Sequence, residues 1–219
     1  MFTSLARTSQ KWAQKTARDY RASREGVAAI EFAFVAPIMI LMYVGLAELS
    51  LLIAEDRRVS HAANVAGDLT TQESSITRDD MSNIMNAAFL TLEADQNAGV
   101  KIEITSYGLD GSGAVVTNGQ AKLGGNFPTP YNSSNIDPRL LNQTSGVVVA
   151  RVAYDYQLSL LTYNGNTHAT GPLSSSSRTV NLSDTFLLKP RVSDQVTFVP
   201  YTNGSTTFNC GFVNGRPSC

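Results

Sequence analysis

Gly26-Val27-Ala28-Ala29-Ile30-Glu31-Phe32-Ala33-Phe34-Val35-Ala36-Pro37 opens a long apolar run near the start of the chain. The run covers residues 27–54 and is apolar except for Glu31, Glu48, Ser50 and the helix breaker Pro37. As a helix rising about 1.5 Å per residue it is roughly 42 Å long, enough to cross a hydrocarbon core of about 30 Å. Its uncharged part, Phe32 to Ala47, reaches only about 24 Å. Each glutamate therefore falls near one edge of a bilayer. A carboxylate at the bilayer centre costs on the order of 2.5–3.5 kcal/mol, and less toward the interface. Glu48 reads as a side chain snorkelling at the outer interface. Glu31 is harder to place, because it is short and lies one turn into the run. A cut after Gly26 would give Val27 an α-ammonium group. Glu31, four residues on, would then reach that charge or the one on a neighbouring copy.

What precedes the run sets its direction. Arg7, Lys11, Lys15, Arg18, Arg21 and Arg24 stand against Asp19 and Glu25, a net charge of +4. By the positive-inside rule this segment stays in the cytoplasm and the chain beyond about residue 55 lies outside. With −1 on the whole chain, residues 27–219 carry −5, which argues against nucleic-acid binding. A cleaved secretory signal fits poorly: the run exceeds a 7–15-residue apolar region, and no A-x-A site closes it.

Gly26 followed by Val27-Ala28-Ala29-Ile30-Glu31-Phe32 resembles the processing site of type IV prepilins, most closely the Tad (tight adherence, Flp-type) group. The longer string to Pro37, with Gly45 and Glu48 beyond it, resembles the TadE-like domain of TadE/TadG pilus-assembly proteins over residues 24 to about 67. Tyr154-Asp155-Tyr156 and Lys189-Pro190-Arg191 are similar to a Y-x-Y strand and a closing P-R of such proteins. The resemblance implies a single-pass bacterial inner-membrane subunit, cut by a prepilin peptidase between Gly26 and Val27. It implies a minor-pilin (pseudopilin) role, with Glu31 and Phe32 in subunit assembly and other Tad pilus subunits and inner-membrane assembly proteins as partners.

Beyond the run, Val59, Ala62, Ala66 and Leu69 fall on one helical face, so the helix continues as an amphipathic rod. A second helix follows, with Thr77 as cap, Asp79 and Asp80 in the first turn, and Met81, Ile84, Met85, Ala88, Phe89 and Leu92 as its apolar stripe. Val100, Ile102 and Ile104 alternate with Lys101, Glu103 and Thr105, as in a half-buried strand. Asp110-Gly111-Ser112-Gly113 turns the chain, and Ala114-Val115-Val116 can return beside it. Residues 117–145 and 164–178 read as polar loops, with strands at 146–160, 179–188 and 195–200. The expected fold is α+β and pilin-like: a long N-terminal helix, transmembrane then amphipathic, packed with a second helix against a small antiparallel sheet. The expected organisation is a cytoplasmic basic leader at 1–26, a transmembrane helix at 27–54, a periplasmic α+β domain at 55–191 and a C-terminal extension at 192–219.

Cys210 and Cys219 are the only cysteines. An oxidising periplasm and the intervening Asn214-Gly215 and Pro217 favour a disulfide between them. Two thiols without neighbouring histidines do not make a metal site. His61, at the polar edge of the rod, and His168, in a Gly/Asn/Ser loop, read as solvated. Asp110-Gly111-Ser112-Gly113 faintly resembles a D-x-S-x-S metal site but lacks its last serine, and a D-G turn accounts for it. The chain shows no catalytic set, so the expectation is a non-enzyme without cofactor or metal. The function expected is that of a minor pilin in Tad pilus biogenesis and adhesion, cleaved after Gly26 and assembled through its N-terminal helix. The alternative is an uncleaved membrane-anchored periplasmic binding or sensor protein, in which Gly26 and Glu31 have no special task.

Overall fold

The computed structural model describes residues 25–93, 99–127, 129–141, 145–157, 179–200 and 204–219. The leader at 1–24 and the loop 164–178 with His168 lie outside the described residues. The chain divides into two units, Met1–Leu49 and Ser50–Cys219.

Helix α1 covers Glu25–Thr71 and contains Pro37. Proline removes one backbone donor, yet the chain stays helical through it. The remaining elements belong to the second unit. They are β1 (Ser75–Ile76), α2 (Arg78–Leu92), β2 (Lys101–Leu109), β3 (Val115–Leu123), β4 (Val147–Gln157), β5 (Thr179–Leu188), β6 (Thr197–Phe198), β7 (Thr207–Val213) and β8 (Arg216–Ser218). Six strands form one sheet in the order β5-β4-β2-β3-β7-β8, and β1 pairs with β6 separately. The α+β expectation holds. The sheet is larger than the small antiparallel one expected, and it is mixed, because β7 joins β3 in parallel. Residues 192–219, set apart in the sequence as an extension, supply β6, β7 and β8. Their backbone groups find partners in the sheet rather than in water.

One face of the sheet carries the main core. Val59, Ala62, Ala63 and Ala66 from the end of α1 meet Ile102, Ile104, Val148, Ala150 and Val152 from β2 and β4. Gly67 lets helix and sheet approach closely: a Cβ there would sit 3.2 Å from Ala150 Cβ and run into Leu188 Cδ1. The stripe read on α2 is buried throughout, at Met81, Ile84, Met85, Ala88, Phe89 and Leu92. Its start is a capping box. Thr77 Oγ1 accepts from the Asp80 N–H at 3.3 Å, and the Thr77 N–H donates to Asp80 Oδ2 at 3.0 Å. The Thr77 hydroxyl and backbone donors hold the Asp80 carboxyl below its usual range.

The opposite face of the sheet is also covered, which the alternation in β2 did not foresee. Phe127, Tyr131, Ile136, Leu140 and Leu141 from the segment read as a surface loop fold back over Tyr107, Val147 and Val149. β3 itself runs into that segment as far as Leu123. Glu103 and Thr105 are consequently buried, whereas Ser106 is buried on the main-core side, where its hydroxyl donates to the Val196 carbonyl at 2.7 Å.

The last strands form a hairpin whose two-residue turn, Asn214-Gly215, has positive φ at both positions (52° and 77°). Phe212 of β7 packs edge-on to Phe89 of α2, ring centroids 5.2 Å apart. The Cys219 N–H donates to Ser82 Oγ at 2.9 Å.

Candidate assembly helix

The first half of α1 is built from residues that favour helix, with alanine, leucine and methionine prominent, and from branched and aromatic side chains that add bulk. Fifteen large apolar residues between Val27 and Ile53 are exposed, among them Phe32, Phe34 (75%), Leu41 and Tyr43. A soluble monomer rarely exposes an apolar patch beyond a few hundred Å2. Gly26–Thr71 contains a window of mean hydropathy 2.2 with none of its residues buried, in a helix long and apolar enough to cross a membrane. The core helix of a soluble protein would pass the same composition test, but it would be buried.

Gly26, Val27, Glu31 and Phe32 all lie on this helix, within the first unit. Val27, Glu31 and Phe32 are exposed. Val27 and Glu31 are one helical turn apart and share a face. Among the described residues Glu31 makes no ion pair, and its helical neighbours are apolar. A Cβ built on Gly26 or on Gly45 would meet nothing within 4 Å. Glycine in a helix interior costs about 1 kcal/mol relative to alanine. Neither glycine repays that cost by packing against the described residues. Glu48 is buried, not snorkelling as the sequence suggested.

Within the second unit α1 changes character. Val59, Ala62, Ala63, Ala66 and Thr70 are buried, whereas His61 and Asn64 face solvent. The end of the helix is tied down by Arg191. Its N–H donates to the Thr71 carbonyl at 2.9 Å, and its guanidinium lies 2.5 Å from Asp68 Oδ1. The family model described as TadE-like protein matches residues 26–68. The chain carries a TadE-like domain. The match starts at Gly26 and stops at Asp68, close to the stretch the sequence resemblance covered. No curated protein and no solved structure matches the chain. The TadE-like domain supports a Tad pilus-associated protein, with the membrane and other pilus components as its surroundings. Its last matched residue, Asp68, is the one that pairs with Arg191 of the Lys189-Pro190-Arg191 string.

Cys210 and Cys219 form a disulfide across β7 and β8. The Asp110 carboxylate is consumed by its own turn. It accepts from the Ser112 N–H at 2.8 Å, the Ser112 hydroxyl at 2.6 Å and the Ala114 N–H at 2.9 Å, which holds its pKa down.

Sequence reasoning missed a polar row on the covered face of the sheet. Glu103 of β2 lies directly opposite Lys122 of β3 and Arg151 of β4. All three were legible as charged residues in strand-like sequence. Their meeting depends on strand register, which no local pattern states.

Proposed function

We propose that this protein is a minor pilin, or pseudopilin, of a Tad pilus system. A prepilin peptidase cuts it after Gly26, and it assembles through the N-terminal half of α1. The observation that carries the reading is a helix, apolar on all sides and exposed, with one carboxylate four residues beyond Val27. An ordinary anchor has no use for that carboxylate, which costs insertion free energy. A new α-ammonium on Val27 would offset it: the amine and Glu31 attract strongly in hydrocarbon and weakly in water. Pairing between one subunit's amine and the next subunit's Glu31 would fix the register of neighbouring helices as they leave the lipid. Phe32, beside Glu31, would pack in the same contact. Gly26 supports this reading because nothing among the described residues packs against it.

In this proposal the basic leader holds the N-terminus in the cytoplasm, the helix spans the inner membrane, and residues beyond about 55 are periplasmic. The disulfide between Cys210 and Cys219 suits that compartment. The work is assembly, without chemistry on a substrate.

The deciding experiment is the intact mass of the protein from membranes, with and without the cognate prepilin peptidase. A chain beginning at Val27 only when the peptidase is present is the expected result. A chain retaining Met1–Gly26 in both would replace this reading with that of an uncleaved anchored binding protein.

A further inference from the structure

Register sets three charges in a row on the covered face of the sheet. β2 is paired on both sides, so Glu103 stands opposite Lys122 of β3 and opposite Arg151 of β4. Two cations and one anion give the row a net charge of +1. Glu103 and Lys122 line a cleft of about 450 Å3, with Tyr107, Gln120, Phe127 and Pro130 among its other walls. Small-molecule sites run from roughly 300 to 1,000 Å3.

The one carboxylate of the row is committed to Arg151. Glu103 is 5% exposed, and its Oε1 lies 3.7 Å from Arg151 Nη1. Arg151 itself is held beneath the covering layer. Its guanidinium lies 4.2 Å from the Phe127 ring centroid, and its Nη2 donates to the Thr129 carbonyl at 3.0 Å. Arg151 Nε and Nη1 are buried without a hydrogen-bond acceptor among the described residues. A cation so poorly solvated is weakly screened, and its field extends past the single carboxylate beside it. Lys122 carries the surplus charge of the row. Among the described residues it makes no ion pair. Its Nζ donates to the neutral Asn126 Oδ1 at 3.1 Å and has two further protons.

A chain of donors ends in the same cleft. Gln120 Nε2 donates to Thr105 Oγ1 at 3.2 Å. Thr105 is in turn hydrogen-bonded to the Tyr107 phenol. With its oxygen taken by Gln120, the Thr105 hydroxyl gives its own proton to Tyr107. The Tyr107 proton is left to point onward, and burial pushes the phenol up, so it stays a donor. A buried donor without an acceptor is costly and takes one from whatever fills the cleft. Net charge and donor surplus therefore call for the same thing, an anionic oxygen ligand. One elementary charge balances the row, and a second would be buried unpaired.

We propose that this cleft binds a small monocarboxylate, its carboxylate accepting from Lys122, a second oxygen accepting from Tyr107, and its apolar body lying against Phe127 and Pro130. The two-sided pairing of β2 presets the geometry before the ligand arrives. The proposal is independent of cleavage at Gly26, since the cleft lies wholly in the second unit.

The test uses the full-length protein in nanodiscs of zwitterionic lipid, with empty nanodiscs as background. Saturation-transfer NMR titrations compare 3-phenyllactate and N-acetylphenylalanine with N-acetylphenylalanine amide and phenyl phosphate. The monocarboxylates are expected to bind at concentrations up to about 10 mM, and the neutral amide about tenfold or more weakly. Lys122→Met should weaken the carboxylate by about tenfold with an unchanged melting curve, and Lys122→Arg should restore it to within a few-fold. Tyr107→Phe should weaken both acids by a few-fold while keeping the preference for acid over amide. Binding of phenyllactate marks a free hydroxy acid as ligand, and binding of N-acetylphenylalanine alone marks the carboxylate end of a peptide chain; either upholds the proposal. It is overturned by no binding of either acid, by equal binding of the amide, by tighter binding of the dianionic phenyl phosphate, or by undiminished binding in folded Lys122→Met.

Discussion

The two halves of α1 place similar residues in opposite surroundings. From Val27 to Ile53 most large apolar side chains are exposed, and a Cβ on Gly26 or Gly45 would meet nothing within 4 Å. From Val59 to Thr70 one stripe is buried against the sheet, and Gly67 has no room for a Cβ. The chain's own fold therefore explains the second half and leaves the first half unexplained. Among the described residues nothing packs against Gly26 and no ion pair reaches Glu31, and the proposed processing and assembly roles start from that contrast. The TadE-like match runs across both halves, so it joins the outward-facing segment to the one that docks on the sheet.

The comparison breaks first at Glu31. Replacing Glu31→Gln should leave membrane insertion and the melting of the C-terminal unit unchanged while abolishing surface pili, counted by electron microscopy. Wild-type piliation in that variant would remove Glu31 from assembly. The next effect is at the helix–sheet contact. Gly67→Leu should destabilise the C-terminal unit by on the order of 1–3 kcal/mol through overpacking against Leu188 and Ala150. Gly45→Ala, its counterpart in the exposed half, should change the melt by less than about 1 kcal/mol, in the stabilising direction. Circular dichroism melts of both in nanodiscs would make the contrast, and equal effects would erase it.

A third test stays within the second unit. Removing the disulfide, whose cysteines are 9 residues apart, as Cys210→Ser/Cys219→Ser should cost at most roughly 3 kcal/mol. Because Phe212 and Ser82 still hold the hairpin to α2, loosening should appear first as proteolysis near residue 214. A hairpin equally resistant without the bond would show that packing suffices.

The smallest effect is the pH response of the α2 cap. The folded Asp80 carboxyl has a pKa below its unfolded value of 3.8. Its contribution is fully present above that value and is lost as pH falls through the lower folded one. Being solvated, the cap contributes no more than about 1 kcal/mol. Asp80→Asn should therefore melt slightly lower than wild type at pH 7, with the difference shrinking below pH 3.8. A difference constant across that range would exclude the charge.

Some of this was legible in one dimension because the signal is local. The α2 stripe, its Thr77 cap, the amphipathic end of α1 and the Asn214-Gly215 turn each follow from spacing or from a residue's φ preference. The apolar run and the glutamate in its first turn declare themselves by composition alone. The segment after Leu123 was read as a surface loop because Asn, Gly, Pro and Ser dominate it. Phe127, Tyr131, Ile136 and Leu141 inside it were the missed sign of a covering layer. The parallel joint of β3 with β7 was likewise out of reach, since the paired residues Leu123 and Cys210 are far apart in the chain and nothing local encodes pairing across that distance.

By itself the sequence determined where the helices lie, which face of each is apolar, and that one segment is too hydrophobic to be explained by a soluble core. Those properties depend on neighbours within one or two turns. Tertiary structure alone decided the order of six strands, the burial of the second sheet face and the row Lys122–Glu103–Arg151. Register is a choice among long-range pairings that differ by whole-sheet packing, and it is settled only when both faces of β2 are covered at once.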